Sequence, residues 1–169
     1  MLCFYKKTFG EFKMEKTNVM RILKQKNISY QAYEYPHQEG CFIDGAAVAE
    51  RLNLDARYVF KTLVVHSAKQ YYVFVIPVLR ELDLKAAAKA VNEKKLDMLP
   101  LKDLLQVTGY VRGGCSPIGM KKAFKVIVDQ SAEQLETMVF SAGKIGYQVA
   151  VKPLDLLKVV NGMFGDICQ

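Results

Sequence analysis

The sequence of 169 residues contains no tryptophan, only two histidines and only four cysteines. The cysteines are scattered without a Cys-x-x-Cys pair, and adding His37 and His66 gives no zinc-ligand set at the usual spacings. We therefore expect no metal site. We also expect the cysteines to be reduced cytosolic thiols rather than disulfides.

Membrane and cofactor signals are missing as well. No run of 18 apolar residues is present, and the first residues lack the charged and apolar regions of a secretory signal, so we expect a cytoplasmic protein with no membrane contact. The Gly-x-x-x-x-Gly-Lys-Ser/Thr phosphate loop, the dinucleotide fingerprint and the Gly-x-Ser-x-Gly elbow are absent. No cofactor is therefore expected.

The length suits one domain with a substantial core. Residues 1–13 show no clear hydrophobic period and are expected to form a poorly structured extension, so we place the working domain at 14–169. The formal charge is +7, from 24 basic and 17 acidic residues. This modest and diffuse excess suits a polyanionic partner such as RNA, or simply solubility.

Hydrophobic periodicity predicts strands at 28–35, 58–66, 70–78, 95–98, 124–129, 138–141 and 147–151. Helices are predicted at 17–26, 44–52, 84–91, 100–107 and 153–160, with a short helical piece at 131–135; the expected caps are Thr17, Asp44, Asp83 and Ser131. Strands come in hairpins with helices interspersed irregularly. This order predicts a single α/β domain with a curved, mixed, mostly antiparallel sheet and surrounding helices.

The stretch from Thr108 to Gly119 holds four glycines and one proline, too many for a helix or a strand. It is either a tight connection or a functional loop. Glycines let a ligand approach the main chain closely, and their N–H groups can converge on an anion or a developing oxyanion. Pro117 stiffens the exit of the stretch.

Lys61 lies inside a strand that is otherwise almost wholly β-branched or aromatic. Such a lysine costs free energy unless its ammonium reaches solvent, a partner or a wet cleft. It is therefore either a lysine that snorkels to the surface or a fixed cation at the mouth of a pocket, where it could hold a phosphate or polarise a carbonyl.

These two elements and the turn at 141–146 could line one pocket for an anionic or carbonyl-bearing ligand. They supply cations and N–H donors but no obvious base. Cys115 and Ser116 are the best nucleophile candidates, yet neither has an adjacent base in the sequence. His37 or His66 could serve as a base, although a single histidine is more often structural.

Three motifs together resemble the YbaK/EbsC family, which is related to the editing domain of bacterial prolyl-tRNA synthetase. They are Val59-Phe60-Lys61-Thr62-Leu63, the stretch 108–119 followed by Lys121-Lys122, and Ser141-Ala142-Gly143-Lys144-Ile145-Gly146. The resemblance covers 14–169. It implies the editing-domain fold and a deacylase that removes cysteine mischarged onto the proline tRNA. The 3′ end of an aminoacyl-tRNA would be the partner, with prolyl-tRNA synthetase a candidate second partner.

The resemblance also implies site residues. Lys61 would be the essential lysine, and Gly113 and Gly114 would be the main-chain donors around the ester. The substrate-binding residues would be Tyr35, Phe42, Thr62, Ser116, Pro117, Gly146 and Gln148, with Ser116 and Pro117 completing the wall of the pocket. Gln148 falls where a well-known member has aspartate. This departure leaves open any carboxylate role at that position, including recognition of the substrate's α-ammonium.

In the cysteine deacylases of this family the substrate's own thiol attacks its ester carbonyl and releases a cyclic thioester, so no protein nucleophile is needed. Cys115 would then be a bystander. Two alternatives stay open. One is a deacylase for another misacylated tRNA, such as an alanyl one, with water as the nucleophile. The other is a non-catalytic binder of aminoacyl-tRNA or a nucleotide.

Overall fold

The computed structural model describes residues 14–38 and 41–169, so the expected extension 1–13 lies outside the described residues. The helices are α1 (Asn18–Gln25), α2 (Gly45–Arg51), α3 (Leu84–Ala90), α4 (Leu104–Thr108) and α5 (Pro153–Val160). The strands are β1 (Gln31–Glu34), β2 (Phe60–His66), β3 (Tyr71–Pro77), β4 (Asp97–Met98), β5 (Lys125–Asp129), β6 (Met138–Ser141), β7 (Tyr147–Val151) and β8 (Met163–Gly165). Three 3-10 turns lie at Ala56–Tyr58, Leu101–Asp103 and Gln130–Gln134.

The strands form two sheets. A five-stranded sheet has the order β4-β2-β3-β5-β8, and a three-stranded sheet has the order β1-β7-β6. Four of the six strand pairs are antiparallel, and the parallel ones are β3 with β5 and β5 with β8. The mixed, mostly antiparallel α/β fold is thus confirmed, but the sheet is divided in two. A parallel bridge between Val59 and Val139 joins the parts.

The five-stranded sheet is covered on both faces, which explains why its strands read as nearly continuous apolar runs. On one face, Val64, Val73 and Val128 pack with α1 and with Phe140 and Val149 of the smaller sheet. On the other face lies a second cluster, whose members include Val65, Phe74, Ile76, Ile127 and the small residues Ala87 and Ala88 of α3. Strand β2, which carries Lys61, lies beside the central strand β3 and contributes residues to both packed layers.

Helix caps follow the sequence prediction in three places and differ in one. The side chains of Thr17, Asp44 and Asp83 each accept a main-chain N–H from the first turn of α1, α2 and α3. At the short piece after β5, the cap is Asp129 and not Ser131, because the Asp129 carboxylate accepts the Ser131 N–H. The helix predicted at 100–107 begins as a 3-10 turn and continues as α4.

The glycine loop, which we define as residues 109–119, is closed by the Tyr110 side chain. Gly109 ends α4 in the left-handed conformation with φ of 84°. The Tyr110 hydroxyl donates to the Ile118 main-chain oxygen at 2.5 Å. Burial, more than the nearby Cys115, raises the pKa of Tyr110 to about 12, so the hydroxyl keeps its proton. The two ends of the loop are thereby held together.

We expect Tyr110→Phe to lower the free energy of unfolding by about 1–2 kcal/mol, because it leaves the carbonyl of buried Ile118 without its donor. Urea unfolding measures the effect. Tyr58→Phe is the matched control, since Tyr58 is 40% exposed and its hydroxyl has no hydrogen bond within the described residues. Equal stability of the two variants would contradict this account of the loop.

Candidate active site

One cavity of about 530 Å³ brings the three predicted segments together. Lys61 and Thr62 of β2, Gly113 of the glycine loop, and Ser141 at the end of β6 all line it. Residues 42–46 form a further part of the wall, as do Met98, Leu99 and Leu101. The size falls within the range of small-ligand pockets.

Lys61 reaches the cavity with a side chain that is 27% exposed, and its Nζ lies 3.2 Å from Glu81 Oε1. It is therefore a fixed cation in a pocket wall and not a lysine that extends freely into solvent. Glu81 is 81% exposed, so the ion pair is well solvated and contributes little stability. A bound anion or carbonyl oxygen can replace Glu81 at small cost.

Two buried polar side chains of the wall have spare hydrogen-bonding capacity. The Thr62 hydroxyl oxygen is buried without a hydrogen-bond partner in the described part of the chain. Gln148 is 5% exposed, sits opposite Ser141 in the β6–β7 register, and has no side-chain hydrogen bond within residues 14–38 and 41–169. The unpaired, buried Thr62 hydroxyl costs about 1–3 kcal/mol. A ligand or water in the cavity relieves that cost.

The two central glycines of the loop have different tasks. Gly113 lines the cavity with φ of +85°, and among the described residues its N–H meets no main-chain acceptor. Gly114, which the resemblance offered as a second donor, instead gives its N–H to the Val111 oxygen at 3.0 Å. A Cβ at Gly114 would lie 3.3 Å from the main-chain nitrogen of Ile145. Gly114 thus permits close packing on the 142–146 turn, and the N–H available to a ligand is that of Gly113.

Phe42 lines the cavity beside the glycine loop and is 47% exposed. The guanidinium carbon of Arg112 lies 3.9 Å from the centre of its ring. Sequence reasoning missed Arg112, Ser141 and Glu81 as cavity residues. The first two stand inside motifs already singled out. Glu81 carried no local signal, because its partner Lys61 is 20 residues away in the chain.

Comparisons with known proteins agree with this geometry. The model of the aminoacyl-tRNA editing domain matches residues 44–159. The chain belongs to this family. It is 45% identical over 154 residues to EbsC of Enterococcus faecalis, a candidate Cys-tRNA(Pro)/Cys-tRNA(Cys) deacylase. The aligned region covers 90% of this chain and 93% of the relative. The YbaK/EbsC resemblance is therefore confirmed.

Solved structures share the editing-domain fold. A candidate trans-editing enzyme for prolyl tRNA synthetase has a TM-score of 0.78 at 19% identity and covers 89% of this chain and 94% of its own. A scaffold protein used for computational grafting of linear epitopes has a TM-score of 0.79 at 20% identity, with coverages of 89% and 94%. At these identities the likeness shows the fold alone.

Four other residues expected in the site are absent from the lining of this editing domain's cavity. Tyr35 is 2% exposed, and its N–H donates to the Gly146 oxygen at 2.9 Å, while the His37 ring packs on Gly146. Ser116 is fully buried, and its hydroxyl accepts the Ile118 N–H at 3.4 Å. Pro117 lines a separate cavity of about 300 Å³. Ser116 and Pro117 belong to the loop that carries Gly113, and Gly146 to the turn that packs on Gly114.

Of the two nucleophile candidates, Cys115 lines the cavity of the editing domain and Ser116 does not. Burial raises the pKa of Cys115 to about 12, an effect only partly offset by its hydrogen bond with Thr108, so the thiol stays neutral. Neither His37 nor His66 is among the lining residues.

Within residues 14–38 and 41–169 no group of three or more His, Cys, Asp or Glu residues could hold a metal ion. No helix in the same ranges is long and apolar enough to cross a membrane.

The raised pKa predicts how Cys115 reacts with alkylating agents. Because only the thiolate reacts and its fraction is about one in ten thousand at pH 8 for a pKa of about 12, Cys115 should stay unmodified while exposed Cys41 is labelled. Below pH 12 the labelling rate of Cys115 should rise about tenfold per pH unit. Mass spectrometry of iodoacetamide-treated protein measures both sites. A rate for Cys115 that levels off below pH 9 would contradict the assignment.

Proposed function

We propose that this editing domain, carried by residues 14–169, removes cysteine from mischarged Cys-tRNA(Pro) in trans. The observation that carries the proposal is one cavity lined by Lys61 and by Gly113, whose N–H has no main-chain acceptor, with no paired nucleophile and base among its described residues. Such a site stabilises negative charge on an acyl group but does not attack it. The name of the relative EbsC supports the same substrate.

The reaction then depends on the substrate's own thiol. Its sulfur forms a bond to the ester carbonyl carbon, the carbon–oxygen bond to the ribose breaks, and the thiol proton passes to the leaving ribose oxygen. The products are a cyclic thioester and free tRNA. The cavity holds the thiol and the carbonyl close together, which lowers the entropic part of the barrier.

Lys61 and Gly113 have the central role in this scheme. Lys61 leaves Glu81 and, with the Gly113 N–H, binds the carbonyl oxygen as it gains charge. One such donor is worth about a hundredfold to a thousandfold in rate. Thr62 and Gln148 offer their unpaired polar atoms to the aminoacyl group, and Phe42 covers its apolar side.

The carboxylates of the cavity wall are capped or solvated. Asp44 accepts the Ala47 N–H at 2.9 Å as the cap of α2, and the Glu81 side chain is 81% exposed, so water solvates its carboxylate once Lys61 turns to the substrate. Neither carboxylate is placed as a dedicated base. A thiol-bearing substrate is therefore favoured over one that requires an activated water.

The proposed substrate also implies which macromolecules the protein binds and in which compartment it acts. The basic excess of +7 is compatible with tRNA. We propose prolyl-tRNA synthetase as a second partner, because a diffuse charge provides no obvious means of choosing the proline tRNA. Action in the cytoplasm follows from this substrate.

Replacing Lys61 with methionine should lower kcat for cysteine release from Cys-tRNA(Pro) by about 10²–10³, because one stabilising donor is lost while the chain length is kept. Release of labelled cysteine measures the rate. Lys125→Met is the control, since Lys125 is exposed at the start of β5 and outside the cavity, and it should remain within about twofold of wild type. Equal activity of the two variants would refute the role of Lys61.

Seryl- and alanyl-tRNA(Pro) separate thiol attack from water attack. Serine differs from cysteine only in oxygen for sulfur, so hydrolysis should fall by about 10³ or more if the thiol is the nucleophile, as expected from loss of an intramolecular attack. Comparable release of alanine and cysteine would instead indicate a water-using deacylase. Tight binding without release of any amino acid would indicate a non-catalytic binder.

A further inference from the structure

Arg112 stands at the mouth of the cavity, directly before Gly113 in the chain. Its side chain is exposed, and its guanidinium carbon lies 3.9 Å from the centre of the Phe42 ring. Both residues line the same cavity as Lys61. Stacking on an aromatic face orients a guanidinium plane and leaves its N–H edge open to another group.

No carboxylate within residues 14–38 and 41–169 is paired with Arg112. The two acidic residues of the cavity wall have other partners, since Glu81 pairs with Lys61 and Asp44 caps α2. The Arg112 guanidinium also makes no hydrogen bond within these ranges. Its fork of donors is therefore ready for an anion that enters with the ligand.

We propose that Arg112 binds the 5′-phosphate of the 3′-terminal nucleotide of the substrate. This inference rests on the proposed function, which places the aminoacyl ester at Lys61 and Gly113. The phosphate is attached to the same ribose that carries the ester, so it is the nearest anion to the acyl group. Lys61, with 27% of its side chain exposed, lies inside the cavity, and the exposed Arg112 lies at its rim.

The geometry also assigns a task to the Phe42–Arg112 stack. A Cβ at Gly113 would lie 3.3 Å from the Phe42 ring, so the ring, the glycine and Arg112 form one packed edge. Binding of the phosphate at this edge orients the ribose, and thereby the ester, toward the Gly113 N–H. Arginine suits the task better than lysine, because its planar fork can make two parallel hydrogen bonds to phosphate oxygens.

Binding of two non-hydrolysable ligands tests the proposal. Both carry cysteine joined by an amide to 3′-amino-3′-deoxyadenosine, and only one has a 5′-phosphate. Wild type should bind the phosphorylated ligand about tenfold or more tighter, as for charge-assisted hydrogen bonds. Arg112→Gln should remove this preference and leave affinity for the unphosphorylated ligand within about twofold. Arg112→Lys should keep part of the preference, because the charge remains without the fork.

Arg57→Gln is the matched control, since Arg57 is an exposed arginine paired with Asp55 outside the cavity, and it should keep the full preference. A wild type without preference for the phosphate would overturn the proposal, as would an Arg112→Gln variant that loses equal affinity for both ligands. Cysteine release from Cys-tRNA(Pro) by wild type is measured separately. Its absence would refute the proposed deacylation, whereas the ratio of the two affinities still decides the role of Arg112.

Discussion

The contact between the glycine loop and the 142–146 turn is the constraint on which the site depends. Gly114 approaches the main chain of residues 144–145, and Gly143 lies under the Tyr110 ring, where a Cβ would be 3.0 Å from Tyr110 Cε1. Neither position has room for a side chain. This double contact fixes the loop on the smaller sheet and leaves Gly113 facing the cavity that Lys61 enters from the larger sheet. The active site is thus formed where the two sheets meet.

The same packing explains the chemistry that the cavity supports. Strand β2 and the ion pair with Glu81 give Lys61 a fixed position, and because the pair is solvated, a ligand can easily displace Glu81. Burial makes Cys115 a poor nucleophile, and both histidines lie outside the cavity lining. The described residues therefore suit electrostatic stabilisation and positioning, and in the reaction we propose the sulfur comes from the substrate. In the proposed role of Arg112, a second cation serves the nucleotide phosphate.

Local sequence patterns predicted helices, strands and helix caps correctly where a single residue type or a single run of apolar residues decides the local structure. The strands predicted at 138–141 and 147–151 and the Pro153 start of the last helix match β6, β7 and α5. Thr17, Asp44 and Asp83 cap their helices as expected. The edge strand β8 was missed, because a strand of three residues that ends in glycine carries no periodicity and pairs only with distant β5. The 131–135 piece was assigned the wrong cap, since Asp129 and Ser131 are both good capping residues and the sequence does not choose between them.

The sequence by itself singled out the segments that meet at the cavity, because a lysine in an apolar strand and a glycine-rich loop are unusual in any fold. It also determined the family, through three motifs in order. Only the tertiary structure decided which of those residues face the ligand. Gly113 and Gly114 are adjacent glycines that no local sequence pattern distinguishes. The Val111 carbonyl nevertheless accepts the Gly114 N–H, whereas the Gly113 N–H has no main-chain acceptor among the described residues. The pairing of Lys61 with Glu81 and the stacking of Arg112 on Phe42 join residues 20 and 70 positions apart, and such contacts arise from packing rather than from any local pattern.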